Sequence, residues 1–411
     1  MADVDLRPID SSEFPAFFRS IVETFGEDPR DADRDADLWV FEPERSLAGI
    51  DDGGSIVATG AICSRDMTLP GGPRPVAGVT MISVAPTHRR RGILTEIMRR
   101  QLTELHDQQR EPVAALWASE GGIYGRFGYG LASRRGALSA RTAELQLRPG
   151  TDLGSGRVRL AGAEEARPHV VRVYEELRGG QVGWLDRRDR WWDYRLRDPE
   201  HWREGATALR YALNIEEDGR ATGYAVYRIK PVWDTGVNET EVQVIELAAT
   251  TPPAYASVWS FVTSLDLVPK LRKRIAPLDE PLQHVMLNPR AVRLDVFDCL
   301  WVRLADVGRA LADRVYSADV DVVLEVADDF CGWNAGRWRL SGGTGGAECV
   351  PAHGPADLAL SSTDLAAAYL GGTTLASLAA AGRVTELRAG ALAAATRAFV
   401  TDRQPWCPEV F

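Results

Sequence analysis

The stretch "SVAPTHRRRGILTEIMRRQL" (residues 83–102) reads as the end of a hydrophobic strand, a turn holding three consecutive arginines and a glycine, and the start of an amphipathic helix. Leu94, Ile97, Met98, Leu102 and Leu105 recur at helical spacing, which predicts a helix from about Gly92 to His106. Cations at a helix N-terminus oppose the helix dipole, an odd choice unless an anion is bound there. A strand turning through such a loop into a helix presents backbone N–H donors. Gly92 allows a close approach, and the arginines add charge-assisted hydrogen bonds. That combination suits a pyrophosphate. The loop is neither a P-loop, lacking GK[ST], nor a dinucleotide fingerprint, lacking GxGxxG.

Upstream, "SLAGI", "SIVATGAICSRDMTL" and "RPVAGVTMISVAP" alternate apolar and polar residues between the turns "DDGG" and "PGG". This predicts antiparallel strands from Arg45 to Pro86. Downstream, "EPVAALWAS" (111–119) reads as a buried strand, followed by the Gly-rich aromatic turn "EGGIYGRFGYG". Three strands, a helix and a further strand describe a mixed α/β layer with one crossover.

A second unit follows the Gly-rich "LRPGTDLGSGRVRL" (147–160). Its segment "EVQVIELAATTPPAYASVWSFVTSL" (241–265) runs parallel to the opening stretch, with an apolar strand, prolines, and a helix carrying Val258, Phe261 and Val262 on one face. It lacks the arginines and the glycine, so it reads as a weak repeat without anion-binding features. A third unit is expected from "FDCLWVRLADVGRAL" (297–311), with strands "VDVVLEVAD" and "GRWRLSGG" before an Ala/Leu-rich helical region, 363–400. Three domains are expected over the 411 residues, at 1–145, 146–292 and 293–411.

The formal net charge of −10 disfavours a non-specific nucleic-acid binder and suits the attraction of cations. Apolar runs are too short for a membrane span, and the acidic N-terminus is unlike a signal peptide, so a cytoplasmic protein is expected. Five scattered cysteines without CxxC, and six histidines without HExxH, indicate neither a disulfide framework nor a metal site.

Arg-x-x-Gly between a strand and a helix resembles the acyl-CoA pyrophosphate loop of GNAT-type N-acetyltransferases. "VAPTHRRRGIL" (84–94) together with "LWASEGGIYGRFGYG" (116–130) resembles one branch of them, the enhanced intracellular survival (Eis) family. The likeness extends to "YLGG" and "TLA" near 369–376 and to the aromatic end of the chain. The resemblance implies an α/β (α+β) fold: tandem GNAT-like domains, the second without a cofactor loop, then a sterol-carrier-like domain. It also implies a homohexamer.

Further implications concern the site. Ile82, Ser83 and Val84 would run beside the pantetheine arm of acetyl-CoA, Arg89, Arg90, Arg91, Gly92, Ile93, Leu94 and Thr95 would hold its pyrophosphate, and Ser119 and Glu120 match cofactor-contacting positions. From the residues alone Tyr124 and Tyr129 compete as proton donor, Phe127 having no hydroxyl. The motif match selects Tyr124. The family's proton acceptor is the chain's own terminal carboxylate, here that of Phe411, at the end of "PEVF". Glu27 and Trp39 match substrate-lining positions, beside the acidic run "EDPRDADRDAD" (27–37). The family's acidic residue before the terminal aromatic is replaced by Val410, with Glu409 one step away as the expected substrate contact. The expected activity is acetyl transfer to cationic amines, aminoglycosides among them, in a ternary complex. A protein-lysine acetyltransferase and a non-catalytic acyl-CoA- or lipid-binding assembly protein are the alternatives.

Overall fold

The structure is a computed structural model describing residues 4–411. Its first sheet begins with an antiparallel series, β1 (Val4–Arg7), β2 (Ser46–Asp51), β3 (Ile56–Leu69) and β4 (Gly72–Val84). Helix α1 (Phe14–Thr24) buries Phe14, Phe17 and Phe18 against Ala61, while α3 (Ile93–Asp107) buries Ile97, Met98 and Leu102 against Ile62. Adjacent residues facing different helices are the period-2 mark of a sheet covered on both faces. Between them lies the short α2 (Asp31–Leu38). After α3, the apolar β5 (Val113–Trp117) runs parallel to β4, and the two-residue β6 (Gly130–Leu131) follows.

The second sheet repeats this plan. Its strands are β7 (Arg134–Arg141), β8 (Arg157–Ala161), β9 (Arg210–Ile215), β10 (Ala221–Lys230), β13 (Glu241–Ala249), β14 (Lys270–Ala276) and β15 (Arg293–Asp298). A small hairpin, β11 (Trp233–Asp234) with β12 (Val237–Asn238), projects from it. Helices α4 (Ala163–Arg178), α5 (Asp189–Leu196) and α6 (Pro252–Thr263) accompany this sheet, and β13–α6–β14 is its parallel crossover.

Both expected boundaries between units need correction. β7, assigned by sequence to the first unit, pairs with β14 and β15 of the second sheet. β16 (Leu300–Leu304), assigned to the third unit, lies between β5 and β6 in the first, with Leu300 opposite Trp117 and Leu304 opposite Val113. The chain crosses between sheets at Ser133 and Cys299, where Cys299 N–H donates to the Ser133 carbonyl. Period-2 alternation states that a strand has one buried face, but not which sheet receives it.

The third sheet has the order β19 (Gly346–Pro351), β18 (Gly336–Gly343), β17 (Val320–Ala327), β20 (Leu358–Ser361), β21 (Val384–Glu386). The helical region expected over 363–400 consists of three short helices (Ser362–Ala368, Leu375–Ala380, Ala391–Phe399) separated by Gly-containing turns and β21. Its core is shared: Met67 and Val76 of the first sheet pack in one cluster with Leu300, Leu324, Leu365 and Cys407. All five cysteines are buried and unpaired. No helix among the described residues is long and apolar enough to cross a membrane.

Candidate active site: a cleft between parting strands

β4 and β5 are paired only at Ala77–Ala114 and Gly78–Ala115, although β4 continues to Val84. Beyond that point the strands part. The β3–β4 register slips between Thr59 and Ala61, and Met81 takes φ +54° there, a bulge that turns the strand end. Thr59 fixes the bulge, its hydroxyl lying 2.7 Å from both the Met81 carbonyl and the Ser83 hydroxyl.

The opening is a cleft of about 700 Å³. Ile82, Ser83 and Val84 line it from β4, Ser119 and Glu120 from the end of β5, and Arg89, Arg90, Gly92, Ile93, Leu94 and Thr95 from the loop and the start of α3. Arg91 is not on the wall; its guanidinium donates to the Thr87 carbonyl at 3.1 Å. Sequence reasoning missed Thr24 and Phe25 at the end of α1, and His88, Ile123 and Arg126, all on the wall. Thr24 and Phe25 reach the wall by tertiary approach, which no local pattern signals, whereas His88, Ile123 and Arg126 stand inside the two quoted motifs.

The arginine loop gathers free backbone donors and positive charge. Gly92 has φ +83°, a conformation that favours glycine, and a Cβ there would meet nothing within 4 Å. No side chain caps α3, whose first intrahelical bond runs from Glu96 N–H to the Gly92 carbonyl, so the amides of Ile93, Leu94 and Thr95 have no helical partner. Among the described residues, none of Arg89, Arg90 and Arg91 has a carboxylate within 4 Å, whereas Arg45, Arg65, Arg187 and Arg303 are each paired with one.

Tyr124 opens a short 3-10 turn, Tyr124–Phe127, and lines the cleft with 5% of its surface exposed. Burial raises the pKa of its phenol further above the neutral range, where a phenol is protonated in any case. Tyr129 packs edge-on against it at 5.8 Å but is fully buried, is absent from the wall, and among the described residues has no partner for its hydroxyl. Of the two competing tyrosines, Tyr124 is the one the cleft reaches.

The Phe411 ring lies on Gly78, where β4 and β5 part: a Cβ on Gly78 would stand 3.1 Å from its Cε2. The tail leading to it is tied down residue by residue. Trp406 N–H donates to the Val182 carbonyl, and Cys407 N–H to Cys299 Sγ at 3.3 Å. The expectation that Glu409 contacts substrate is corrected here. Its carboxylate is buried and bridges Arg65 at 2.8 Å and Arg187 at 2.6 Å. Arg65 also holds Asp186, and Arg187 holds Glu246 with both guanidinium nitrogens, so one ion network joins the first sheet, the second and the tail. Burial opposes ionisation of Glu409, but Arg187, Arg65 and Arg195 together outweigh it and lower its pKa.

Glu27 and Trp39 are exposed on the segment after α1 and at the end of α2, off the wall but adjacent in sequence to Thr24 and Phe25, which are on it. Much of the acidic run is already engaged. Asp33 meets His201 at 2.7 Å and Asp37 meets Arg197 at 3.4 Å, docking α2 on the second unit, while Asp31 and Asp35 pair with Arg34. Glu27 and Asp28 stay exposed.

The second unit's equivalent junction is closed. α6 starts with Pro252 and Pro253, which have no N–H, and the Ala254 amide is bonded to Thr251 Oγ1. Its anion-binding donors are gone.

Comparison with known proteins agrees with this geometry. Residues 5–132 match the acetyltransferase (GNAT) domain family, residues 183–304 match a second acetyltransferase (GNAT) domain family, and residues 307–408 match the sterol carrier protein domain. The protein is therefore an N-acetyltransferase of the GNAT class, a class that uses acetyl-CoA, with a sterol-carrier-like C-terminal domain. It is 43% identical to an uncharacterized N-acetyltransferase of Streptomyces avermitilis, with 99% of each chain covered. It is 34% identical to N-acetyltransferase Eis of Mycobacterium tuberculosis, covering 86% of this chain and 85% of that one. The crystal structure of Eis1 from Mycobacterium abscessus superposes with a TM-score of 0.84 at 29% identity, covering 99% of this chain and all of that one. The chain belongs to the Eis family of GNAT N-acetyltransferases.

Proposed function

We propose that this enzyme transfers the acetyl group of acetyl-CoA to amino groups of small cationic molecules, aminoglycosides among them, directly within a ternary complex. The supporting observation is that one cleft holds Arg89 and Arg90, which have no carboxylate partner among the described residues, an uncapped helix start and a buried phenol, while the Phe411 ring lies on Gly78, where the strands that form the cleft part. In this reading Arg89, Arg90 and the Ile93–Thr95 amides hold the pyrophosphate, and the β4 edge at Ile82–Val84 orients the pantetheine arm.

The amine attacks as the neutral base. The C–N bond forms, the C–S bond breaks, the amine's proton passes to the Phe411 carboxylate, and the Tyr124 hydroxyl protonates the leaving sulfur. A phenol is protonated at neutral pH without any shift, so Tyr124 is available as the donor; burial, which raises its pKa, makes it a weaker acid, so the proton moves only as charge builds on the sulfur. Glu27 and Asp28, exposed beside the cleft, and the half-exposed Trp39 supply acceptor recognition by charge and ring face. Val410, 59% exposed where the family carries an acid, leaves the pocket with less negative charge, so acceptor preference shifts toward amines of lower charge. Five buried thiols suit a reducing cytoplasm. A homohexamer is part of the same proposal, and light scattering on the purified chain tests it.

Mass spectrometry of an aminoglycoside incubated with enzyme and acetyl-CoA tests the acceptor assignment. A mass gain of one or more acetyl groups is expected. Acetylation of protein lysines with none of any small amine would overturn it.

A further inference from the structure

The second sheet carries a basic pocket of about 230 Å³, separate from the acetyl-transfer cleft. Pairing sets Arg228 of β10 opposite Gln243 of β13, and Gln243 opposite Arg272 of β14, in one row across three strands. Lys230 and Arg274 stand two residues along the same strands, on the same wall. The short segment after α5 closes the pocket with Trp202, Arg203 and Glu204.

Like charges gathered on one sheet face repel, and here they are incompletely neutralised. Arg228 is 92% buried (8% exposed), yet its Nε has no partner among the described residues. Its one carboxylate, Asp198, is shared: Oδ1 accepts from Arg228 at 2.7 Å and from Arg203 at 3.2 Å. Burial lowers the Arg228 pKa despite Asp198, and Arg203 adds to that effect. Among the described residues, Lys230, Arg272 and Arg274 have no carboxylate within 4 Å. Arg195, also on the wall, is engaged with Glu246. The five remaining cations face Asp198, Glu204 and Glu241, which leaves two positive charges uncompensated.

We propose that this pocket is a binding site for a small dianion, a phosphate or a dicarboxylate, held by Lys230, Arg272 and Arg274 with Arg228 behind them. Guanidinium forks match the paired oxygens of both groups. The volume lies below the roughly 300–1,000 Å³ of sites for drug-sized ligands, which selects an ion of phosphate or succinate size over a nucleotide. Arg272 and Arg274 are exposed, as on a solvated face, but Arg228 behind them is buried with a donor that has no partner among the described residues.

The proposal does not depend on the acetyl-transfer reading. Calorimetric titration of inorganic phosphate, and separately of succinate, is made into full-length protein saturated with CoA, so that the arginine loop of the first unit is occupied. Chloride at matched ionic strength is the control. One site is expected for at least one of the two dianions, weakened tenfold or more in Arg272→Gln/Arg274→Gln, while CoA affinity stays as in wild type. Phosphate alone or succinate alone names the source of the dianion. No binding beyond the chloride control would overturn the proposal, and so would binding that the double variant leaves unchanged.

Discussion

Glu409→Gln isolates what holds the chain's last residues in place. The Glu409 carboxylate accepts hydrogen bonds from two buried guanidinium groups, at 2.8 and 2.6 Å. Hydrogen bonds to charged groups contribute roughly 1.5–3 kcal/mol each. Removing one member of a buried ion pair costs about 3–5 kcal/mol, because its partner charge stays buried. The two estimates overlap at about 3–5 kcal/mol, and the amide, which keeps the shape and one acceptor, belongs at the lower end. A loss of about 3 kcal/mol is more than a hundredfold in the docking equilibrium of the tail.

Phe411 lies two residues further on and rests on Gly78. Undocking therefore removes it from the point where the strands part. The arginine loop shares no residue with this network, so CoA binding should persist. The assay measures thermal unfolding, CoA affinity, acetyl-transfer turnover and susceptibility to carboxypeptidase. The expected result is a lowered melting temperature, turnover down at least tenfold, a readily digested tail and unchanged CoA affinity. Deleting Val410 and Phe411 instead should abolish turnover while sparing most of the stability, because Glu409 remains. Wild-type stability and turnover in Glu409→Gln would refute the anchoring argument.

Tyr124→Phe should lower turnover by roughly a hundredfold or more, the usual scale of a lost general acid, with CoA affinity intact; a lost CoA affinity would mark the ring as structural. Gly78→Ala places a methyl 3.1 Å from the Phe411 ring and 3.2 Å from the Cys63 carbonyl, so turnover should fall without loss of CoA binding; unchanged turnover would separate Phe411 from the chemistry. Gly92→Ala strains a φ of +83° by roughly 1–2 kcal/mol in otherwise open space, so a small drop in melting temperature with weakened CoA binding is expected from calorimetry. Glu246 is opposed by burial, but Arg187, Arg195 and Tyr224 outweigh it and hold its carboxyl at about 2. A depressed carboxyl stabilises the fold above its unfolded pKa, and that contribution is lost as pH falls through the folded value. Glu409 acts in the same direction, so unfolding monitored by circular dichroism should show stability falling from about pH 4.5 downward; an unchanged stability at pH 3 would contradict it.

The arginine loop was legible because its signals are local. Strand, turn, glycine and helix follow one another within about ten residues, and the misplaced positive charge needs no distant partner to be noticed. The repeat at 241–265 was legible for the same reason, and the prolines that fill its anion site are visible in the letters "TTPPAY". The placement of β16 was not legible, since "CLWVRL" alternates equally well for any sheet and its neighbour β5 is nearly two hundred residues earlier. Glu409 was misread for a related reason: Arg65, which it binds, lies 344 positions away, and an acidic residue near a site looks like a ligand until its cation is found. The run "DADRDAD" shows the opposite failure, acidity that suggested substrate and is largely engaged by Arg197, His201 and Arg34. The residues alone left Tyr124 and Tyr129 competing in the same Gly-rich turn and the motif match selected Tyr124; in the structure burial separates them, Tyr124 lining the cleft and Tyr129 not.

The most direct measurement is continuous thiol release from acetyl-CoA on adding a panel of aminoglycosides and simple polyamines to protein with an untagged C-terminus. The account predicts release with several cationic amines, and none above background from the Tyr124→Phe variant or from protein lacking Val410 and Phe411. Undiminished release by both variants would contradict the assignment of the chemistry to this cleft, and no release with any amine would contradict acetyl transfer to small cations.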